Sequence, residues 1–526
     1  MTREIKVIDL FAGPGGLGEG FSAYKHHGEN PFNISLSVEK EASAHQTLTL
    51  RAFYRQFQPA SVPDEYYEFL AGKLGNSPDE QLYKLPIFRK QVSAARAEAQ
   101  LLELGKNNRT INQAIENVLG PRPGNWVLIG GPPCQAYSVI GRSRNRGIKD
   151  YTPEDDHRSY LYKEYLRVIA KFRPAVFVME NVKGLLSANV DGEHIFHKIL
   201  DDLRCPARAV RGTDRRADYH VVPLVVAGHL IDLFDEPSEP GDFVVCAEHY
   251  GVPQARHRVI LLGIRDGLAK HSADFSLKPL NAPTVRDAIE DLPCLRSGLS
   301  QEKDSFAAWV KAIKNRSDRI IAETEKIGMT AVADKMTKAI ARIGKIELGR
   351  GSNWSSETTS INTTLPLQLR KWYRDESGWR GVCNHEARGH IAEDLHRYLF
   401  CACYGKVANN GNYTSPSSAA FPKMLAPKHS NWNTGHFSDR YRVQLATRPG
   451  TTVTSHISKD GHYFIHYDPS QCRSLTVREA ARIQTFPDNY FFVGYRTEQY
   501  VQVGNAVPPF LATKIADAVF RILVMR

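Results

Sequence analysis

The first fifty residues alternate apolar runs with turn-forming segments in a way that predicts two successive β-α units. Lys6 to Phe11 (KVIDLF) is a short apolar run that ends in AGPGGLGEGF, a glycine-rich segment opening a helical stretch to about His26. A second strand, Ile34 to Val38, ends in Glu39, and Ala44, Leu48 and Ala52 then recur at the four-residue spacing that lines one face of a helix from about Ala42. Two such units in a row predict a parallel sheet. Residues 55–120 are polar and rich in Ala, Glu, Lys and Gln, which predicts a helical insertion outside that sheet. Strand signals resume at Trp126 to Ile129, Ala175 to Met179 and Val259 to Ile264, with a hairpin expected through Tyr219 to Val226 and Phe243 to Val245. Each leads into a polar loop, where open α/β sheets place their functional groups.

From about residue 275 the pattern changes. Ser305 to Leu348 is a helical stretch of mixed charge, and the sequence to about 436 is rich in Gly, Ser, Asn and aromatic residues with no β-α alternation. A second domain over 276–436 is the economical reading, the first covering 1–275. Helical periods return in Val477 to Phe486 and Val507 to Val524, so 437–526 is expected to rejoin the first domain. The predicted fold class is α/β, Rossmann-like, with a second, smaller domain.

Composition narrows the class. A chain of 526 residues allows two to four domains at ~100 to 200 residues each. With 42% hydrophobic and 24% charged residues it is neither collagen-like nor wholly disordered. No apolar run approaches the ~18 to 20 residues of a membrane span, and the N-terminus lacks the pattern of a cleaved leader, so a cytoplasmic protein is expected. Eight cysteines spread thinly along the chain are not a disulfide framework; they point to a reducing compartment and direct attention to a single reactive thiol. The net charge of +11 and pI near 9.1 favour an anionic partner such as nucleic acid.

Four segments carry candidate chemistry. Asp9 to Gly18 (DLFAGPGGLG) is a turn where backbone approaches a ligand closely, and its spacing is not that of the G-x-G-x-x-G dinucleotide fingerprint. Glu39, at the end of the next strand, is placed to accept hydrogen bonds from both ribose hydroxyls of a nucleoside. In Gly130-Gly131-Pro132-Pro133-Cys134-Gln135, two prolines stiffen the chain before a thiol, and the basic loop that follows (Arg142, Arg144, Arg146, Lys149) favours a thiolate or grips a phosphate backbone. Glu180 ends an apolar strand, a position from which an acid can exchange a proton, although a strand-end Glu also serves as a helix cap. Gln254, Arg256 and Arg258 alternate at strand period and are expected to share one face, as an anion clamp or as an exposed strand edge.

Together these segments resemble the cytosine-C5 DNA methyltransferases. The matches run in that family's order: DLFAGPGGLGEGF at 9–21, Pro-Cys-Gln at 133–135, ENV at 180–182, QARHR at 254–258, RSLTVREAARIQTFPD at 473–488 and QVGNAVPP at 502–509. They cover roughly the first 265 and last 80 residues. The resemblance implies a methyltransferase domain using S-adenosylmethionine and a target-recognition domain for double-stranded DNA. Cys134 is then the nucleophile that adds to C6 of cytosine, Glu180 holds N3 and the exocyclic amine, and Arg256 and Arg258 order the O2 side. Phe11, Gly13, Gly15, Leu17, Glu39, Pro132, Leu161, Asn505 and Ala506 surround the cofactor, while Arg142, Arg144, Arg146, Lys149 and Gln254 meet DNA. Trp126 stands where an Asp is frequent, and the sequence does not reveal the acid that usually meets the adenine amine. Cys383, His385, His390, Cys401 and Cys403 have poor spacing for tetrahedral zinc, so no metal is expected. A monomer, functionally paired with a cognate restriction endonuclease, completes the expectation. RNA methylation and a catalytically idle DNA-binding protein are the competing readings; the long second domain argues against the first, and the presence of Cys134 and Glu180 against the second.

If the basic loop grips phosphates, DNA affinity falls steeply as salt is raised, because neutralised phosphates release counterions. Fluorescence anisotropy across a salt series checks this, and a flat profile contradicts it.

Overall fold

The computed structural model describes residues 4–133, 161–190, 193–211, 218–225, 239–268, 275–355, 364–374, 379, 381–408, 411–427, 432 and 439–524. The chain divides into two compact units, one of Met1–Phe57, Pro86–Asn281 and Ala506–Arg526, the other of Gln58–Leu85 and Ala282–Asn505.

The first unit is built on a mixed sheet of eight described strands. Its elements are β1 (Ile5–Leu10), α1 (Gly16–Ala23), β2 (Phe32–Glu39), α2 (Ala42–Tyr54), α3 (Arg89–Glu98), β3 (Ala99–Leu101), α4 (Asn108–Leu119), β4 (Val127–Gly130), α5 (Leu161–Phe172), β5 (Val176–Val182), α6 (Ile195–Arg204), β6 (Tyr219–Val222), β7 (Val244–Cys246), β8 (His257–Arg265) and α7 (Pro509–Val524). The strand order is β3-β2-β1-β4-β5-β8-β6, with β7 also on β8. The strands from β3 to β5 are parallel, and β8 runs antiparallel to β5, β6 and β7. Strand order reverses at β1, so the crevice over the C-terminal ends of β1, β2 and β4 is the natural ligand position.

Alternation along the strands feeds two apolar cores, as expected of a sheet covered on both faces. Ile8, Leu36, Leu128, Phe177 and Leu261 pack under residues of α4, α5 and α6, whereas Val7, Ile34, Val127, Val176 and Leu262 pack under α1 and α7. The second face depends on Gly16 and Gly20, four residues apart on one side of α1. A Cβ at Gly16 would overlap the Val507 carbonyl, and one at Gly20 would overlap Ala512 Cβ and the Pro509 carbonyl.

Three expectations are corrected. Residues 55–120 are not an insertion outside the sheet: Ala99–Leu101 is a sheet strand beside β2, α3 and α4 belong to the first unit, and only Gln58–Leu85 lies in the second. Tyr219–Val222 and Val244–Cys246 do not form a hairpin with each other; both pair with β8, whose register accommodates them in succession. The return to the first unit begins at Ala506 rather than 437.

The physical reason for that last shift is a buried arginine network. Arg473 makes a bidentate pair with Glu479 at 2.6 Å, Arg482 bonds Asp488 and Asp291, and Arg478 donates to the carbonyls of Cys383, Pro487 and Tyr490. All three guanidinium groups are buried inside the second unit, so this motif braces the fold there.

The glycine contact is testable. Overpacking costs about 1 to 3 kcal/mol, and Ala in place of a helical Gly returns at most ~1 kcal/mol. The overlapping atoms at Gly20 are backbone and a Cβ, which cannot swing aside. Gly20→Ala is therefore expected to lower the urea midpoint, and an unchanged or raised midpoint contradicts this packing.

Candidate active site

The turn after β1 is shaped by left-handed residues: Phe11 at φ 58°, Gly13 at φ 58° and Gly15 at φ 98°. Gly15 caps α1, and Leu17 is buried in that helix's first turn. A Cβ at Gly13 would meet nothing within 4 Å, so the turn faces open space. Glu39 ends β2 and locks the turn: its Oε2 accepts the Gly13 N–H at 2.7 Å, and its Oε1 accepts the N–H groups of Lys40 and Glu41 at 2.9 and 2.8 Å. Burial raises the Glu39 carboxyl above its ordinary value despite these three donors. Asp9, wholly buried beneath the turn, is held well above the usual carboxylate range by burial and then by Glu39. An acid at the end of β2 beside an open glycine turn fits the ribose and adjoining part of a nucleoside cofactor.

A second cluster stands at the ends of β4 and β5. Glu180 and Arg258 form an ion pair at 2.9 Å, with both side chains largely buried. This meeting is set by the antiparallel β5-β8 register, in which Arg258 stands across from Val182 and Ile260 across from Glu180. Arg256 is 1% exposed; burial and the neighbouring Arg258 push its guanidinium well below the ordinary value, while Glu180 acts in the opposite sense. Asn181 Nδ2 donates to the Pro132 carbonyl at 3.1 Å, which ties the proline segment to the strand carrying Glu180. Gly131 completes the fit, since a Cβ there would stand 3.1 Å from Glu180 Oε2. Such a carboxylate-guanidinium pair offers adjoining acceptor and donor groups to the polar edge of a heterocyclic base.

The structure thus brings Glu180, Arg256 and Arg258 together with the Pro132 carbonyl, and separately gathers Phe11, Gly13, Gly15, Leu17 and Glu39 at the neighbouring ends of β1 and β2. Leu161 is buried at the start of α5. Asn505 is the last residue of the second unit and Ala506 the first of the returning segment. Cys134, Arg142, Arg144, Arg146 and Lys149 lie outside the described residues. Gln254, expected to face DNA on one strand face with the arginines, is instead wholly buried. The Arg256 N–H bonds the Gln254 carbonyl at 2.9 Å, a tight turn that breaks the assumed alternation. Sequence reasoning missed the roles of Asn181 and Gly131, although both sit inside motifs it had singled out. Trp126 is a buried core residue preceding β4, and Glu103, two residues beyond the end of β3, is an acid the sequence did not single out; it pairs with Lys106 at 2.8 Å.

A Rossmann-like sheet with an acid ending its second strand, and a carboxylate-guanidinium pair beside a proline-anchored loop, defines a methyltransferase-type α/β domain. The C-5 cytosine-specific DNA methylase family matches residues 122–205 and 243–521. Type II methyltransferase M.Bpa9945I of Bacillus paralicheniformis is 32% identical, covering 98% of each chain. Type II methyltransferase M.AgeI of Thalassovita gelatinovora is 26% identical over 98% of this chain and 99% of its own, and M.DdeI of Desulfomicrobium norvegicum 25% identical over 98% and 88%. The chain belongs to the C-5 cytosine-specific DNA methylase family and is a DNA (cytosine-5)-methyltransferase.

Removing Glu180 leaves two guanidinium groups in a buried site without their carboxylate, which costs on the order of 3 kcal/mol. Glu180→Ala is expected to lower the denaturation midpoint, and adding Arg258→Ala to recover part of that loss. Strict additivity in this double-mutant cycle contradicts the coupling.

Proposed function

We propose that the chain methylates C5 of a cytosine flipped out of a specific short duplex DNA sequence, with Cys134 as transient nucleophile and S-adenosylmethionine as methyl donor. The observation that carries this reading is the Glu180-Arg258 pair, fixed beside a loop whose Pro132 carbonyl is held by Asn181. That anchoring lies two residues before Cys134 in the sequence.

Cytosine C5 is a poor nucleophile. Addition of the Cys134 thiolate to C6 makes C5 enamine-like, and Glu180 supports this by holding N3 and the exocyclic amine. Arg258 keeps Glu180 oriented, and Arg256 lines the O2 side. When bound, S-adenosylmethionine supplies an electrophilic methyl group on its sulfonium. With the methyl in place, loss of the C5 proton and expulsion of the thiolate restore the aromatic ring and free Cys134. Extruding the base costs a few kcal/mol of stacking and pairing.

Glu39 receives the ribose hydroxyls, and Phe11, Gly13, Gly15, Leu17, Pro132, Leu161, Asn505 and Ala506 complete the cofactor site. Glu103 takes the adenine amine: β3 ends in register with Glu39 at Leu101, which brings the following residues to the same edge of the sheet. Arg142, Arg144, Arg146 and Lys149 hold the DNA backbone, and the second unit reads the target sequence. We further propose that the chain acts as a cytoplasmic monomer paired with a cognate restriction endonuclease; the type II methyltransferases to which the chain is similar favour the restriction-modification setting alone. Among the described residues no helix is long and apolar enough to cross a membrane.

Bisulfite sequencing of DNA from cells expressing the wild-type chain beside Cys134→Ala tests this function. Methylcytosine is expected in one short sequence context with the wild type and nowhere with the variant. Methylation retained in the variant removes Cys134 from the mechanism, and none in either strain, from a protein that still binds S-adenosylmethionine, overturns the DNA substrate.

A further inference from the structure

Cys246, Glu248 and His257 gather at the start of β8. Cys246 ends β7 and stands directly across from His257 in the antiparallel β7-β8 ladder, so the two side chains leave the sheet on one face. Glu248 follows on the short 3-10 turn Ala247–His249, and its Oε1 lies 2.6 Å from His257 Nε2. The thiol sulfur, a carboxylate oxygen and an imidazole nitrogen all lie within 4.8 Å of one another. The second oxygen of Glu248 is buried and has no hydrogen-bond partner among the described residues. None of these side chains is used by the methyl-transfer site.

We propose that Cys246, Glu248 and His257 bind one divalent transition-metal ion, zinc by the chemistry of its ligands, with a fourth position open to water or a solute. Thiolate and imidazole select against magnesium and calcium, which take oxygen. Zinc ligands stand ~2.0 to 2.3 Å from the ion, so neighbours on a tetrahedron are roughly 3.3 to 3.8 Å apart. The donors lie within 4.8 Å of one another, and the 2.6 Å Glu248–His257 contact must open to about 3.3 Å to admit the ion. On binding, the Cys246 thiol releases its proton to solvent and His257 coordinates through a neutral ring nitrogen. Two anionic ligands cancel the ion's charge, which matters because Arg256 and Arg258 flank His257 in the chain. A filled site ties β7 to the start of β8 and so to the strand that presents Arg258.

The test uses the full chain stripped of metal and titrated with Co²⁺, whose bond to a thiolate gives a near-ultraviolet charge-transfer band. One equivalent is expected to saturate that band, and added Zn²⁺ to remove it. Cys246→Ser is expected to abolish the band, His257→Ala to weaken binding at least about tenfold, and Cys294→Ser, which alters an exposed cysteine, to leave both unchanged. No thiolate band, or a band that survives Cys246→Ser, overturns the site. Should Cys246→Ser fail to fold, alkylation of the wild-type chain decides instead. Zn²⁺ is expected to protect Cys246 from iodoacetamide in peptide mapping, and equal labelling with and without Zn²⁺ overturns the proposal.

Discussion

The antiparallel run of β8 against β5 is the constraint on which the candidate active site depends. In a wholly parallel sheet every strand begins at the edge opposite the functional crevice. Because β8 is reversed, its first residues arrive at the C-terminal end of β5, and Arg258 meets Glu180 there. Neither residue could be held this way by local sequence, since 78 positions separate them. The same reversal exposes β8 to β7 on its other side, which sets His257 across from Cys246. One topological choice thus positions the Glu180-Arg258 pair and the adjoining thiol-imidazole cluster.

Two further devices hold the surroundings. Gly16 and Gly20 let α1 and α7 approach at backbone distance, which fixes the helix that follows the glycine turn. Glu39 then closes the turn from the other side through the Gly13 N–H. A carboxylate held by three backbone N–H groups is already oriented when ligand arrives, so less ordering remains to be done on binding. In the second unit the buried arginines of 473–488 satisfy their charges with Glu479, Asp488 and Asp291 and with main-chain carbonyls. Breaking one member of such a network is costly, which accounts for a motif rich in arginine that faces no solvent.

Much of this was legible in the sequence where signals were local. The apolar runs of β4, β5 and β8 are nearly continuous because each is covered on both faces, and a run of that kind needs no partner to be read, while β1 and β2 carry polar residues among their apolar ones. The ends of those runs then located Glu39, Glu180 and Arg258. What escaped depends on pairing. Ala99–Leu101 is a three-residue edge strand with a Gln at its centre, too short and polar to signal itself. The expected hairpin failed because β6 and β7 each prefer β8, a long-range choice. Helical period in 477–486 suggested a return to the first domain, but period does not say which core a helix joins; the ties of Arg482 to Asp291 and Arg478 to Cys383 do. Gln254 is wholly buried rather than facing out, and a tight turn before Arg256 interrupts the strand period.

The central claim is covalent catalysis by Cys134 on a cytosine held by Glu180, and its most direct test traps the adduct. A long duplex carrying 5-fluorocytosine at every cytosine contains any target site, and fluorine at C5 blocks the proton loss that normally releases the enzyme. The protein is incubated with this DNA and S-adenosylmethionine, denatured, digested and mapped by mass spectrometry. The account predicts a complex that survives denaturation, with the nucleotide attached to the peptide containing Cys134. No stable complex from a protein that binds both DNA and cofactor, or attachment at any other residue, would contradict it.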